Sequence, residues 1–106
     1  MKEGLVYKKE KLAGKIWEDE SGYYFQYDES YLTNPVYGAA SKTLPLRKEA
    51  FVGENMFPFF DGLIPEGWLL DIAVENWKLN PRDRMELLLT LCRDNIGDVS
   101  VVRATK

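Results

Sequence analysis

At 106 residues the chain has room for one small domain with a single core. Its 45% hydrophobic and 29% charged residues exclude wholesale disorder, and a net charge of -3 excludes a broad basic surface for nucleic acid. No apolar run approaches the roughly 18 to 20 residues that cross a bilayer, and the N-terminus lacks a basic-then-apolar signal pattern, so a cytoplasmic location without membrane contact is expected.

The first third reads as an antiparallel meander. β-favouring runs at residues 5–7, 12–17 and 23–27 are separated by Lys9-Glu10-Lys11 and by Asp19-Glu20-Ser21-Gly22, both short enough for hairpins. In the third run Tyr23, Phe25 and Tyr27 share one face and Tyr24 and Gln26 the other, and the aromatic face is expected to pack on helices. Lys8, Lys9, Lys11 and Lys15 cluster at the first hairpin among Glu10, Glu18, Asp19 and Glu20, which a solvated hairpin explains.

Residues 28–40 hold Asn34-Pro35 and Gly38 and read as a loop with one helical turn around residues 30–32, in which Tyr31 and Tyr37 are packing residues. Residues 41–46 are expected to form a further strand, which Pro45 places at an edge or a strand end.

The second half is helical. A first helix starts at Pro65, whose fixed φ and missing donor suit a first turn. A second starts at Pro81 with Asn80 as N-cap, Asp83 near the positive end of the dipole, and Met85, Leu88, Leu89, Leu91 and Cys92 on the buried side. Gly97 then breaks the chain and residues 99–102 form a last strand returning to the sheet. The expected architecture is α+β, a small antiparallel sheet of N-terminal meander plus C-terminal strand, packed against two or more helices.

Between these halves lies Phe57-Pro58-Phe59-Phe60-Asp61-Gly62-Leu63-Ile64-Pro65-Glu66-Gly67-Trp68, an order of aromatics, turn residues and a proline-initiated helix too particular for generic core. With Leu5-Val6-Tyr7, Leu12-Ala13-Gly14-Lys15-Ile16, Thr43-Leu44-Pro45-Leu46, Gly53-Glu54 and Ile96-Gly97-Asp98-Val99, it resembles the N-terminal domain of HipA-type serine/threonine kinases over almost the whole chain. In that family the domain precedes a larger kinase body with the phosphate-binding loop, catalytic aspartate and magnesium ligands. Residues 1–106 contain none of that body, and the initiator-like Met1 favours a separately encoded subunit over a cut fragment.

The resemblance implies a small HipS-like partner of a tripartite toxin–antitoxin operon. It would bind and inhibit a HipT/HipA-type kinase toxin, with a HipB-type helix-turn-helix DNA-binding protein as a further component. The alternatives are a non-inhibitory assembly module of such a complex or a truncated N-terminal piece of a kinase. The eight glycines are dispersed, with no nucleotide-binding run, so neither enzymatic activity nor a cofactor is expected.

Helix geometry singles out Trp68. Leu69, Leu70, Ala73, Val74 and Trp77 fall in one arc, whereas Trp68 projects opposite, beside Asp71, Ile72 and Glu75. Two readings stay open: Trp68 packs on the loop carrying Phe59 and Phe60, or it anchors a partner, supported by Phe59, Phe60, Ile64 and Ile72. The helix-face argument and the missing kinase body favour the anchor. Asp61 and Glu66 suit a turn and a helix start better than an acid–base pair. Arg82, Arg84 and Arg93 read as solvated helix charges. Cys92, the single cysteine in a chain without histidine, has no internal disulfide partner and reads as a small core residue; no metal site is expected.

Overall fold

A computed structural model describes residues 2–64, 67–78, 80, 82–92 and 98–104, without the side chains of Trp68, Leu69, Ala73 and Trp77. Three strands, β1 (Lys2–Lys8), β2 (Lys11–Asp19) and β3 (Gly22–Tyr27), form the meander, followed by the short helix α1 (Glu29–Thr33). Then come β4 (Phe51–Gly53), α2 (Pro58–Asp61), α3 (Gly67–Trp77), α4 (Arg84–Leu91) and β5 (Val99–Arg103). The strands make one antiparallel sheet in the order β4-β3-β2-β1-β5. The α+β architecture read from the sequence is the one observed.

Alternation along the strands decides what is inside. Val6, Ile16, Phe25, Tyr27, Val99 and Val101 point to the helix-covered face and are buried. Helix α4 contributes Met85, Leu87, Leu88 and Leu89, with Cys92 just beyond its end. Leu87 thus joins the buried side, where the helical spacing placed Leu91, which is only half-buried. Gly4 on β1 has no side chain because Leu89 occupies that space. Gly14 on β2 is needed for a different reason: a Cβ there would run into the Gln26 carbonyl and the Tyr27 backbone, beside the register shift at Val6/Tyr7.

The long connection from α1 to β4 is pinned by tyrosine hydroxyls. Tyr27 donates to the Leu44 carbonyl and accepts from the Ala40 N–H at 2.9 Å, and Tyr31 donates to the Gly38 carbonyl at 2.7 Å. Tyr31 is buried in the loop packing expected of it, whereas Tyr37 is exposed with the Lys9 ammonium 4.8 Å above its ring. Residues 41–46 are not a strand of the sheet. Ser41 and Leu44 make an isolated bridge, with Thr43 N–H on Ser41 Oγ at 3.3 Å. Local serine and threonine hydrogen bonds and the capture of the Leu44 carbonyl by Tyr27 leave no ladder to extend. The edge position falls instead to β4, a three-residue strand that the sequence pattern missed.

The second helix also begins later than its proline suggested. Asp83, not Asn80, is the N-cap of α4, its carboxylate accepting from Glu86 N–H at 3.1 Å. Asn80 instead holds the preceding turn through Arg82 N–H at 2.9 Å. Asp83 also pairs with Lys2 of β1, and Glu86 with Arg103 of β5 at 2.7 Å, so the helix start is tied to two strands. Burial opposes ionisation of Asp83, but the Lys2 and Glu86 hydrogen bonds outweigh it and hold the carboxyl below its ordinary value. Pro65, Pro81 and Gly97 themselves lie outside the described residues.

Candidate partner-binding surface

Helix α2 is one turn long and starts at Pro58, which costs no hydrogen bond at that position. Asp61 N–H donates to Phe57 O at 2.9 Å, Gly62 to Pro58 O at 2.9 Å, Leu63 to Phe60 O at 3.0 Å and Ile64 to Asp61 O at 3.2 Å. This winds the segment tightly and turns its apolar residues inward. Phe60 is fully buried, packed on Phe25 of β3 at 5.2 Å between ring centroids and edge-on to Phe57 and Phe59 at 6.3 and 5.3 Å. Ile64 is buried as well, and Phe59 is half-buried against the core.

Two links fasten this segment to α4 and its end. Arg84 Nε donates to Asp61 Oδ1 at 2.6 Å, and the Cys92 thiol lies 3.4 Å from the Leu63 carbonyl oxygen. Asp61 is therefore engaged in a structural ion pair, and Glu66, the other carboxylate of the sequence motif, lies outside the described residues. Burial raises the Cys92 thiol to about 11, which suits a core residue and not a nucleophile.

Helix α3 follows from Gly67, whose φ of +63° a side chain would resist even though open space surrounds it. Leu70 and Val74, four residues apart, pack on the core. The opposite side carries Asp71, Ile72 and Glu75, all exposed, with Ile72 45% accessible. Of the five residues singled out for partner contact, the structure therefore puts Ile72 at the surface, Phe59 at its margin, and Phe60 and Ile64 in the core beneath. Trp68 stands in the first turn of α3, and its side chain lies outside the described residues. Of the basic residues of the first hairpin, Lys8 pairs with Asp98 at 3.1 Å and Lys15 with Glu3 at 3.4 Å.

A second apolar surface was not legible as such in the sequence. On the sheet face away from the helices, Trp17 and Tyr24 stack at 5.2 Å with 11° between planes, and Tyr24 stands opposite Val52 of β4. Val52 is 68% exposed. The strand period put Tyr24 on that face, but without β4 its neighbour could not be named.

The profile of the HipA N-terminal domain matches residues 4–102. The chain belongs to the HipA N-terminal domain family. A Haemophilus influenzae (strain ATCC 51907 / DSM 11121 / KW20 / Rd) protein described as uncharacterized is 27% identical over 101 residues, 95% of this chain and 92% of that protein. Among solved structures, an N-terminal domain of HipA toxin superposes with a TM-score of 0.69 at 24% identity, covering 100% of this chain and 95% of that one. A chain from the Shewanella oneidensis MR-1 complex of HipA, HipB and operator DNA superposes with a TM-score of 0.74 at 18% identity. There this chain matches over 93% of its length but spans only 23% of the other. The HipA N-terminal domain fold is thus shared, and the family match is to that domain and not to the kinase part. Among the described residues no helix is long and apolar enough to cross a membrane.

Proposed function

We propose that this chain is a non-catalytic, antitoxin-like protein of the cytoplasm that binds and inhibits a separately encoded HipA/HipT-type serine/threonine kinase toxin, in a tripartite system with a HipB-type DNA-binding protein. The single observation that carries the reading is the build of the signature segment in a HipA N-terminal domain. Phe60 and Ile64 are locked into the core, which holds α3 with an exposed apolar residue, Ile72, between carboxylates. A rigid, braced projection loses little conformational entropy on docking. Trp68, one helical turn before Ile72, is the proposed central anchor, docking near the kinase active site and obstructing nucleotide, substrate or activation-loop movement. A Haemophilus relative of nearly the same length supports the separately encoded domain.

Co-expression with the cognate kinase, followed by measurement of complex formation and autophosphorylation, tests this. Binding with suppressed activity, lost in Trp68→Ala, is the expected result. Suppression unchanged in that variant removes Trp68 from the mechanism, and binding without suppression favours a non-inhibitory assembly module. That assembly reading is kept in play by the Shewanella complex, which holds HipA, HipB and operator DNA together.

A further inference from the structure

The face of the sheet turned away from the helices carries exposed and half-buried apolar side chains. One register row across three strands, Trp17, Tyr24 and Val52, is apolar, and its rim at the turn end is acidic. Asp19 and Glu20 sit at the β2–β3 turn and Glu54 follows β4, all three exposed. The two turns meet, because a Cβ on Gly22 would touch Gly53 O and approach Glu54 Cα. Lys2 is engaged with Asp83 and Glu86, and Lys15, paired with Glu3, also holds its ammonium 5.2 Å over the Trp17 ring, so the row is basic at its Trp17 end and acidic at the turns. Among the described residues neither Glu20 nor Glu54 has an ion-pair partner.

This row lies back to back with the α2 segment. Phe51, next to Val52, stacks on Phe25 at 6.1 Å, and Phe25 also packs on Phe60 at 5.2 Å. A partner closing over the β4 edge therefore meets the α2 segment on one side, where Phe57 approaches Gly53, and Val52 on the other. Specific interfaces bury about 800 Å² on each partner, more than the turn of helix around Ile72 supplies alone. An acidic rim repels nucleic acid and anionic lipid and complements lysine and arginine.

We infer that the Val52–Tyr24–Trp17 row with its acidic rim is a second contact surface for the same kinase, fitted to an apolar patch bordered by basic residues. The inference rests on the kinase reading above and adds a second face to it. Asp19 is the poorer probe, since its carboxylate already accepts the Ser21 and Gly22 N–H groups at 2.7 and 3.2 Å. The test is affinity and association rate for the purified cognate kinase at low and high salt. The full chain is compared with Val52→Lys, with the double variant Glu20→Lys/Glu54→Lys and with Trp68→Ala, each checked for native unfolding.

Val52→Lys is expected to weaken binding about tenfold or more, and the charge-reversed pair to slow association at low salt and flatten its salt dependence. Wild-type affinity and salt dependence in both, with Trp68→Ala defective, overturn this inference and leave the anchor standing. Defects in both with Trp68→Ala unaffected support this surface and remove the anchor. No kinase binding by the unaltered chain overturns the kinase reading and this inference with it.

Discussion

Phe25 of β3 and Phe60 of α2 are both fully buried and meet at 5.2 Å with 57° between their rings, so the signature segment is an extension of the core and not a loop laid upon it. Arg84 reinforces the join by gripping Asp61 from α4. Helix α3 reaches the same core through Leu70 and Val74.

Phe60→Ala should therefore act on the fold before it acts on binding. Truncating a buried phenylalanine costs about 3–5 kcal/mol, a large share of a small domain's stability. Ile72→Asp, at an exposed site, should change stability by no more than about 0.5 kcal/mol while weakening kinase binding. Urea unfolding of both variants beside a binding assay separates the two roles.

Asp83 combines an N-cap with an ion pair, and two substitutions divide them. Asp83→Asn keeps a capping oxygen but loses the Lys2 charge pair; Asp83→Ala loses both and should cost about 1–2 kcal/mol. The folded carboxyl is held below its ordinary value, so its contribution is fully present above the unfolded pKa and fades as pH falls through the folded one. Stability measured from neutral pH down into the acid range should fall less steeply in Asp83→Asn than in the unaltered protein.

The Cys92 thiol, raised to about 11 by burial, should resist an aromatic disulfide reagent at pH 8 in the native protein. It should react at the rate of an ordinary thiol once denaturant unfolds the chain. Rapid native labelling would contradict the burial assigned to it.

Two glycines should respond unequally to alanine. At Gly14 the added methyl meets the backbone of β3, so strands β2 and β3 must separate and the loss should exceed about 3 kcal/mol. At Gly67 there is room but the φ is left-handed, and the cost should be about 1 kcal/mol. Thermal unfolding of the two variants checks the order.

Elements whose signal is local were legible. The meander, the turn of helix expected around residues 30–32 and the returning strand all follow from strand alternation and turn residues, and the structure has each of them, the turn as α1 over Glu29–Thr33. The three-residue β4 and the one-turn α2 were not legible, because neither is long enough to show a period. Both exist through contacts with distant residues, β4 with Tyr23, Tyr24 and Phe25, and α2 with Phe25 and Arg84. The cap of α4 was misplaced for a related reason: Asn80 and Asp83 are both competent caps, and the pairing of Asp83 with Lys2, 81 residues away, distinguishes them.

The candidate surface divides in the same way. Helical spacing alone separated Ile72, Asp71 and Glu75 from the Leu70 and Val74 side of α3, since the angle between positions on a helix depends on nothing outside it. That Phe60 and Ile64 brace the site from within, and that Val52 completes an apolar row with Tyr24 and Trp17 on the far face, was decided only when the chain folded. An aromatic or aliphatic residue looks the same in sequence whether it is core or surface, and its side of the sheet is set by which strand it pairs with.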